Sequence, residues 1–455
     1  CIRDSSISGF FNIQGVVMDL LKDNVGKLYR KFFIASFGSA LIACIYGLVD
    51  MAMVGQYHGP DGSAAMAVIS PIWNIIYSFG LLCGIGGSVI YAVARGERDD
   101  EKEANGYFTS AFILGALWAL ILWVLVWVFE EPLLRLFGAN DALMPLCKEY
   151  MIAPKLTVPV YVFINLLSSF LRNDGDPGRA TKAVIFGGIF NVFGDYFFVF
   201  TLDMGIKGAG IATAMGASMS VLVMLTHFIS KKNTLKFVKP RRILNSFKMI
   251  SVNGFSSFIV DVAMGVATML FNRRVMEYLG TDALAVYGVI VVVSTLVQCC
   301  SYGIGQAAQP VISRNFGAGL TDRIKAMRKY NIITAAVFGA IWTVLSMAIP
   351  QVFIKLFMTP TPEVLSIAPG IIRIYAISFV LLPFNIYSTY YFQAIMRAKI
   401  SLIASVARGI VISGALILLL PVAFGGNAVW WAMPITEAVV FVYSAVMMKK
   451  VRLSR

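Results

Sequence analysis

The chain has 455 residues, 58% of them hydrophobic and 14% charged, with 38 Lys+Arg against 24 Asp+Glu and a net charge of +14. Soluble domains carry about 25% charged residues, so a mean hydropathy of +0.77 excludes a water-facing protein. Nucleic acid, the usual partner of a basic chain, is excluded with it, and the positive excess is expected to face membrane lipids.

Residues 1–31 read as a cytoplasmic tail that opens on Cys1. The tail lacks a basic region, short apolar core and small-residue cleavage site, so no cleaved signal peptide is expected. Beyond it, a bilayer core about 30 Å thick needs about 20 apolar residues per helix. That ruler predicts twelve helices, at approximately 32–57, 64–93, 106–129, 142–168, 180–201, 206–229, 243–272, 283–308, 330–357, 364–394, 400–422 and 427–448. Alternation is absent and the runs are about twice the length of a barrel strand. The expected fold class is an all-α integral membrane protein.

Lys and Arg divide unevenly between the two sides. The N-terminal tail, the even-numbered junctions and the C-terminal tail hold 29 of the 38, with Arg172 counted in the loop after the fourth span. The opposite loops hold six, and Lys155, Arg373 and Arg408 lie inside spans. The positive-inside rule places the 29, and both termini, in the cytoplasm, which makes the expected location the cytoplasmic membrane. Catalytic chemistry lacks parts: six Cys show no CxxC spacing, and His58 and His227 belong to no HExxH or Ser/His/Asp pattern. Neither an enzyme nor a bound cofactor is expected.

An offset of 221 residues lays Gly59-Pro-Asp61-Gly-Ser-Ala64-Ala-Met-Ala-Val68-Ile69 over Gly280-Thr-Asp282-Ala-Leu-Ala285-Val-Tyr-Gly-Val289-Ile290, with five identities. Gly84 meets Gly305 and Gly96 meets Gly317 in the same register. The predicted organisation is a tail (1–31), a first six-helix lobe (32–230), a basic linker (231–242), a second six-helix lobe (243–448) and a cytoplasmic tail (449–455). Six crossings per lobe make the repeat parallel, with its axis along the membrane normal. A cleft between two such lobes suits alternating access.

Asp50, Asp195, Asp261 and Glu437 fall well inside spans, where each costs about 2.5 to 3.5 kcal/mol unless it meets water, a partner or a proton. Asn191 and Asp195 are four residues apart, which places an amide and a carboxylate on one helical face. Asp50 sits in Tyr46-Gly-Leu-Val-Asp50, and Thr213 in the small-residue helix Gly208-Ala-Gly-Ile-Ala-Thr213-Ala. One pocket of the first lobe is expected to collect Asp50, Asn191, Asp195 and Thr213, oxygen ligands suited to a proton or to Na⁺ at the two carboxylates. A structural pair between helices is the alternative. Asp261 and Glu437 leave three roles open: a second coupling site, a cavity wall that attracts cations, or an ion pair with Arg408 or Lys155. Tyr46 and Tyr387 are the aromatic residues assigned, with these two acids, to a substrate cavity, where a ring face can hold an organic cation.

These motifs resemble the multidrug and toxic compound extrusion (MATE) family, prokaryotic type. The residues that carry the likeness are Leu48-Val49-Asp50 with Val54-Gly55, Leu171-Arg172-Asn-Asp-Gly175-Asp176-Pro177, Asn191-x-x-x-Asp195 and Gly208-Ala-Gly-Ile-Ala-Thr213-Ala, and the likeness covers about residues 30–450. The resemblance implies two six-helix lobes around a V-shaped cavity. It further implies an antiporter that exports cationic amphiphilic drugs and toxins in exchange for H⁺ or Na⁺, with a first-lobe cation site matching Asp50, Asn191, Asp195 and Thr213. The chain departs from the family where a Pro often lies early in helices one and seven, since those stretches read Ala35-Ser36-Phe37-Gly38 and Gly254-Phe255-Ser256. A monomer is expected. The alternative is a flippase for a lipid-linked or other polar lipid.

Overall fold

A computed structural model describes residues 19–97, 100–358 and 360–453, and every regular element among them is helical. Eleven segments are long and apolar enough to cross a membrane, and the longest of these, Ile243–Gly317, breaks at Gly280 into two. The described residues thus make twelve crossings. We label them α1 (Val25–Gly59), α2 (Asp61–Glu97), α3 (Glu101–Val128), α4 (Ile152–Asn173), α5 (Pro177–Thr201), α6 (Gly205–Leu225), α7 (243–280), α8 (281–317), α9 (Thr321–Ala348), α10 (Pro362–Ala394), α11 (Ala398–Phe424) and α12 (Gly426–Lys450).

The sequence repeat has a direct structural expression. Gly59 and Gly280, matched by the repeat, turn the chain between α1 and α2 and between α7 and α8 with φ of 64° and 80°. An L side chain rarely adopts that conformation, so glycine at both turns keeps each helix pair hinged alike. Within α1 only Gly59 leaves helical geometry, so the helix runs without a kink through Ala35-Ser36-Phe37-Gly38.

Two predicted spans are shorter than their apolar runs. The run at 142–168 divides into Met144–Tyr150 and α4, and the run at 330–357 divides into α9 and a separate helix, Pro350–Phe357. Proline occupies the first turn of both short helices. It starts a helix readily, since its missing N–H falls where no intrahelical acceptor is available, and hydropathy alone does not register such a restart.

The inner positions go to α2 and its partners. In α2, 83% of the apolar window is buried, against 22% for α1 and 33% for α3. Its residues Leu81, Ile85, Val89 and Val93 join the large core built around α8, α10 and α12, so the halves share one apolar contact. Glycine permits this closeness. A Cβ on Gly254 would lie 2.0 Å from the Leu82 carbonyl oxygen, and one on Gly303 would lie 2.7 Å from the Phe37 Cα. These contacts close the bundle at the end that carries the linker and both described termini.

The basic linker is fixed by alternate backbone amides. Thr234 N–H donates to Asp174 Oδ2 at 2.9 Å, Lys236 N–H to Asn105 Oδ1 at 2.9 Å and Val238 N–H to Thr109 Oγ1 at 3.0 Å. Asp174 also accepts from the hydroxyls of Tyr91 and Thr234, and lies 2.7 Å from His227 Nε2. Asp176 faces the other ring nitrogen at 3.4 Å and accepts from Arg179 Nε at 3.0 Å.

Candidate functional site

Small residues bring α5 and α6 together. A Cβ on Gly187 would fall 1.9 Å from Ser220 Oγ and 2.6 Å from the Gly216 carbonyl oxygen, and one on Gly216 would fall 2.9 Å from Asn191 Cβ. Close backbone approach of this kind is how membrane helices associate without a hydrophobic drive between them. It delivers Asn191 to α6, where its Nδ2 donates to Thr213 Oγ1 at 3.4 Å. One turn further along α5, Asp195 is fully buried and neither carboxylate oxygen has a hydrogen-bond partner. A π-helical turn, Tyr196–Thr201, begins at the next residue.

Asp50 enters from α1. It is 7% exposed, and its Oδ2 accepts from the Tyr150 hydroxyl at 3.1 Å while Oδ1 has no partner. The Thr213 hydroxyl faces the same carboxylate, and Asp50 and Asp195 interact through their charges. Asn191 and Thr213 line one cavity and the two carboxylates adjoin them, with both Asp195 oxygens, Asp50 Oδ1 and Asn191 Oδ1 buried without a hydrogen-bond partner among the described residues. A buried charge left in this state is unfavourable by several kcal/mol. Tyr150, from the short helix Met144–Tyr150, is a member that sequence reading missed: it lies within the predicted 142–168 span, and no spacing ties it to Asp50.

Beside this cluster lies a cavity of about 140 Å³ between the lobes. Tyr46, Asn191 and Thr213 line it on one side, Tyr77, Tyr161 and Arg172 lie along it, and Tyr302 and Gln306 enter from α8. Tyr46 is placed as expected. Arg172 is not, because α4 continues to Asn173 and carries this side chain into the cavity wall instead of a loop.

The remaining candidates sit elsewhere. Asp261 lines a separate small cavity with Ser257, Tyr302, Thr389 and Arg408, and its Oδ1 accepts from the Tyr302 hydroxyl at 2.8 Å. Glu437 is fully buried, ion-paired to Arg408 Nε at 2.7 Å and bonded to Asn385 Nδ2 at 2.6 Å. Of the two partners considered for it, Arg408 is the one present; Lys155 pairs with Glu130 at 2.7 Å. Tyr387 is fully buried in the second-half core. Glu437 and Tyr387 thus face neighbouring helices, an orientation that depends on helix rotation and that spacing does not fix.

The MatE family model matches twice, over residues 35–197 and 255–417, the two halves of the internal repeat. The chain belongs to the MatE family. Among curated relatives of this MatE protein, the multidrug export protein MepA of Staphylococcus haemolyticus (strain JCSC1435) is 25% identical over 423 residues, 92% of each chain. MepA of Staphylococcus aureus (strain MSSA476) is 23% identical over 425 residues, again 92% of each. An outward-facing multidrug resistance MATE family transporter of the MOP superfamily superposes with a TM-score of 0.86 at 22% identity, covering 94% of this chain and 97% of that one. A MOP superfamily transporter from Pyrococcus furiosus Vc1 (DSM3638) superposes with a TM-score of 0.85 at 22% identity, covering 95% and 98%. The MatE protein is thus a multi-pass membrane transporter, and its relatives are transporters, not enzymes.

Proposed function

We propose that this MatE protein is a secondary antiporter that exports cationic amphiphilic drugs or toxic organic compounds across the cytoplasmic membrane in exchange for H⁺ or Na⁺. It works as a monomer among membrane lipids, with both termini in the cytoplasm and no cofactor beyond the coupling ion. The observation that carries the reading is Asp195, fully buried with both oxygens unpartnered and a second carboxylate, Asp50, acting on it. A proton or Na⁺ bound there offsets one of the pair's two negative charges, and the same oxygens serve either ion. Asn191 and Thr213 complete the donor set. The similarity to multidrug export proteins supports an organic substrate.

Coupling follows from linkage: an ion that binds one packing of α1, α5 and α6 more tightly shifts the lobes toward it, and substrate in the cavity shifts them reciprocally. The test is ethidium efflux from proteoliposomes under a pH gradient and, separately, a Na⁺ gradient. The expected result is efflux driven by one gradient and abolished by Asp195→Asn or Asp50→Asn with protein level intact. Full efflux by either variant would sink the site, and no efflux under either gradient would sink the antiport reading.

A further inference from the structure

Arg172 lies in the last turn of α4, 8% exposed, and forms part of the wall of the inter-lobe cavity. Two other cations half-buried in spans have acids: Arg408 has Glu437 at 2.7 Å and Lys155 has Glu130 at 2.7 Å. Among the described residues Arg172 has no carboxylate within ion-pair distance and no hydrogen bond from its guanidinium. An unpaired charge within a membrane span is unfavourable and marks a functional position by default.

The surroundings define what such a charge would take. Asn165, Ser168 and Ser169 stand one and two turns before Arg172 on the cavity side of α4, and Gln306 and Tyr302 face them from α8. No Asp or Glu lines this cavity; Asp50 and Asp195 act from behind Asn191 and Thr213. Tyr161, three turns nearer the opposite end, and Tyr46 and Tyr77 supply aromatic faces to the same space. A planar guanidinium with hydroxyl and amide neighbours holds a carboxylate or phosphate through charge-assisted bonds.

We propose that Arg172 binds the anionic group, a carboxylate or a phosphate, of the transported amphiphile, whose aromatic or cationic body lies against Tyr46, Tyr77 and Tyr161. This rests on the export reading above and adds to it a preference, among the exported amphiphiles, for those that also carry an acidic group.

Rhodamine 110 and its methyl ester, rhodamine 123, share one ring system and differ in whether the carboxylate is free. Fluorescence polarisation on the purified full chain in detergent measures both. The expected result is that the wild-type protein binds the free acid about tenfold more tightly than the ester. Arg172→Gln erases that preference and leaves ester binding within about twofold, and Arg172→Lys keeps part of it. Equal affinity of the wild type for the two dyes overturns the proposal without any variant, as does equal loss of both dyes in a monodisperse Arg172→Gln protein. In either case the ester still binding the wild type leaves the export reading standing; failure of both dyes to bind the wild type removes the two readings together. Phosphatidylglycerol and phosphatidylcholine, added in turn, separate the sources. Competition by the first alone, lost in Arg172→Gln, assigns the site to a lipid phosphate; no competition assigns it to the carboxylate of a soluble solute, and both support it.

Discussion

Gly96 and Gly317, equivalent positions of the internal repeat 221 residues apart, each press against the helix that carries the other. A Cβ on Gly96 would lie 2.1 Å from the Arg314 carbonyl oxygen, and one on Gly317 would lie 2.0 Å from the Val93 carbonyl oxygen. The ends of α2 and α8 thus cross at a point where only hydrogen fits, and the crossing seals the end of the bundle that carries the linker.

Opening that seal relieves any added bulk. Gly96→Ala or Gly317→Ala is expected to disfavour the sealed state by about 1 to 3 kcal/mol, the usual penalty of overpacking. Spin labels on α2 and α8 near the crossing report it: double electron–electron resonance should show the long-distance population rising, with dye efflux falling. An unchanged distance distribution would show that the contact does not restrain the lobes.

The α5–α6 contact allows a second test, because it sets the distance between Asn191 and Thr213. Gly187→Ala places a methyl where Ser220 Oγ and the Gly216 carbonyl already are. The helices must separate, and the cation concentration for half-maximal efflux is expected to rise about tenfold at a strain of 1 to 3 kcal/mol. Normal cation dependence with reduced expression would instead mark a folding contact.

Glu437 is expected to act in stability. Removing its charge leaves Arg408 buried and uncompensated, which destabilises by about 3 to 5 kcal/mol. Thermal melting in detergent should fall for Glu437→Gln, and the double variant Arg408→Met with Glu437→Leu should recover most of the loss. Efflux that disappears in Glu437→Gln while melting stays unchanged would contradict this and return Glu437 to the transport pathway.

The cluster that holds the linker predicts a pH dependence. Burial pushes the His227 ring toward the neutral form, but its bonds to Asp174 and Asp176 outweigh this and raise its pKa above the ordinary 6.5. Its stabilising share is complete below about 6.5 and is lost as pH rises through the raised folded value. For Asp176 burial acts upward, yet the bond to His227 and the charges of Lys232 and Arg179 hold it at about 2, below the usual 3.8. That share is present above 3.8 and is lost as pH falls toward about 2. The melting difference between wild type and His227→Ala is therefore expected to be largest between about pH 4 and 6.5 and to narrow above neutrality. A difference that is flat with pH would mean that His227 serves by shape alone.

Hydropathy and the repeat made the helix count, the doubling and the Asn191–Asp195 face legible in the sequence, because each depends on spacing along one chain. A span's length follows from bilayer thickness, and a four-residue step on a helix fixes a shared face whatever packs against it. Arg172 was misread as a loop residue for the complementary reason. Near the sealed end the helices bury one another, so α4 keeps helical hydrogen bonds past its apolar run and no hydropathy change marks where it stops. Tyr150 meeting Asp50, and Arg408 meeting Glu437, depend on helix rotation and on contacts across 100 and 29 residues. Those are set by side-chain packing between elements, which only the tertiary structure decides.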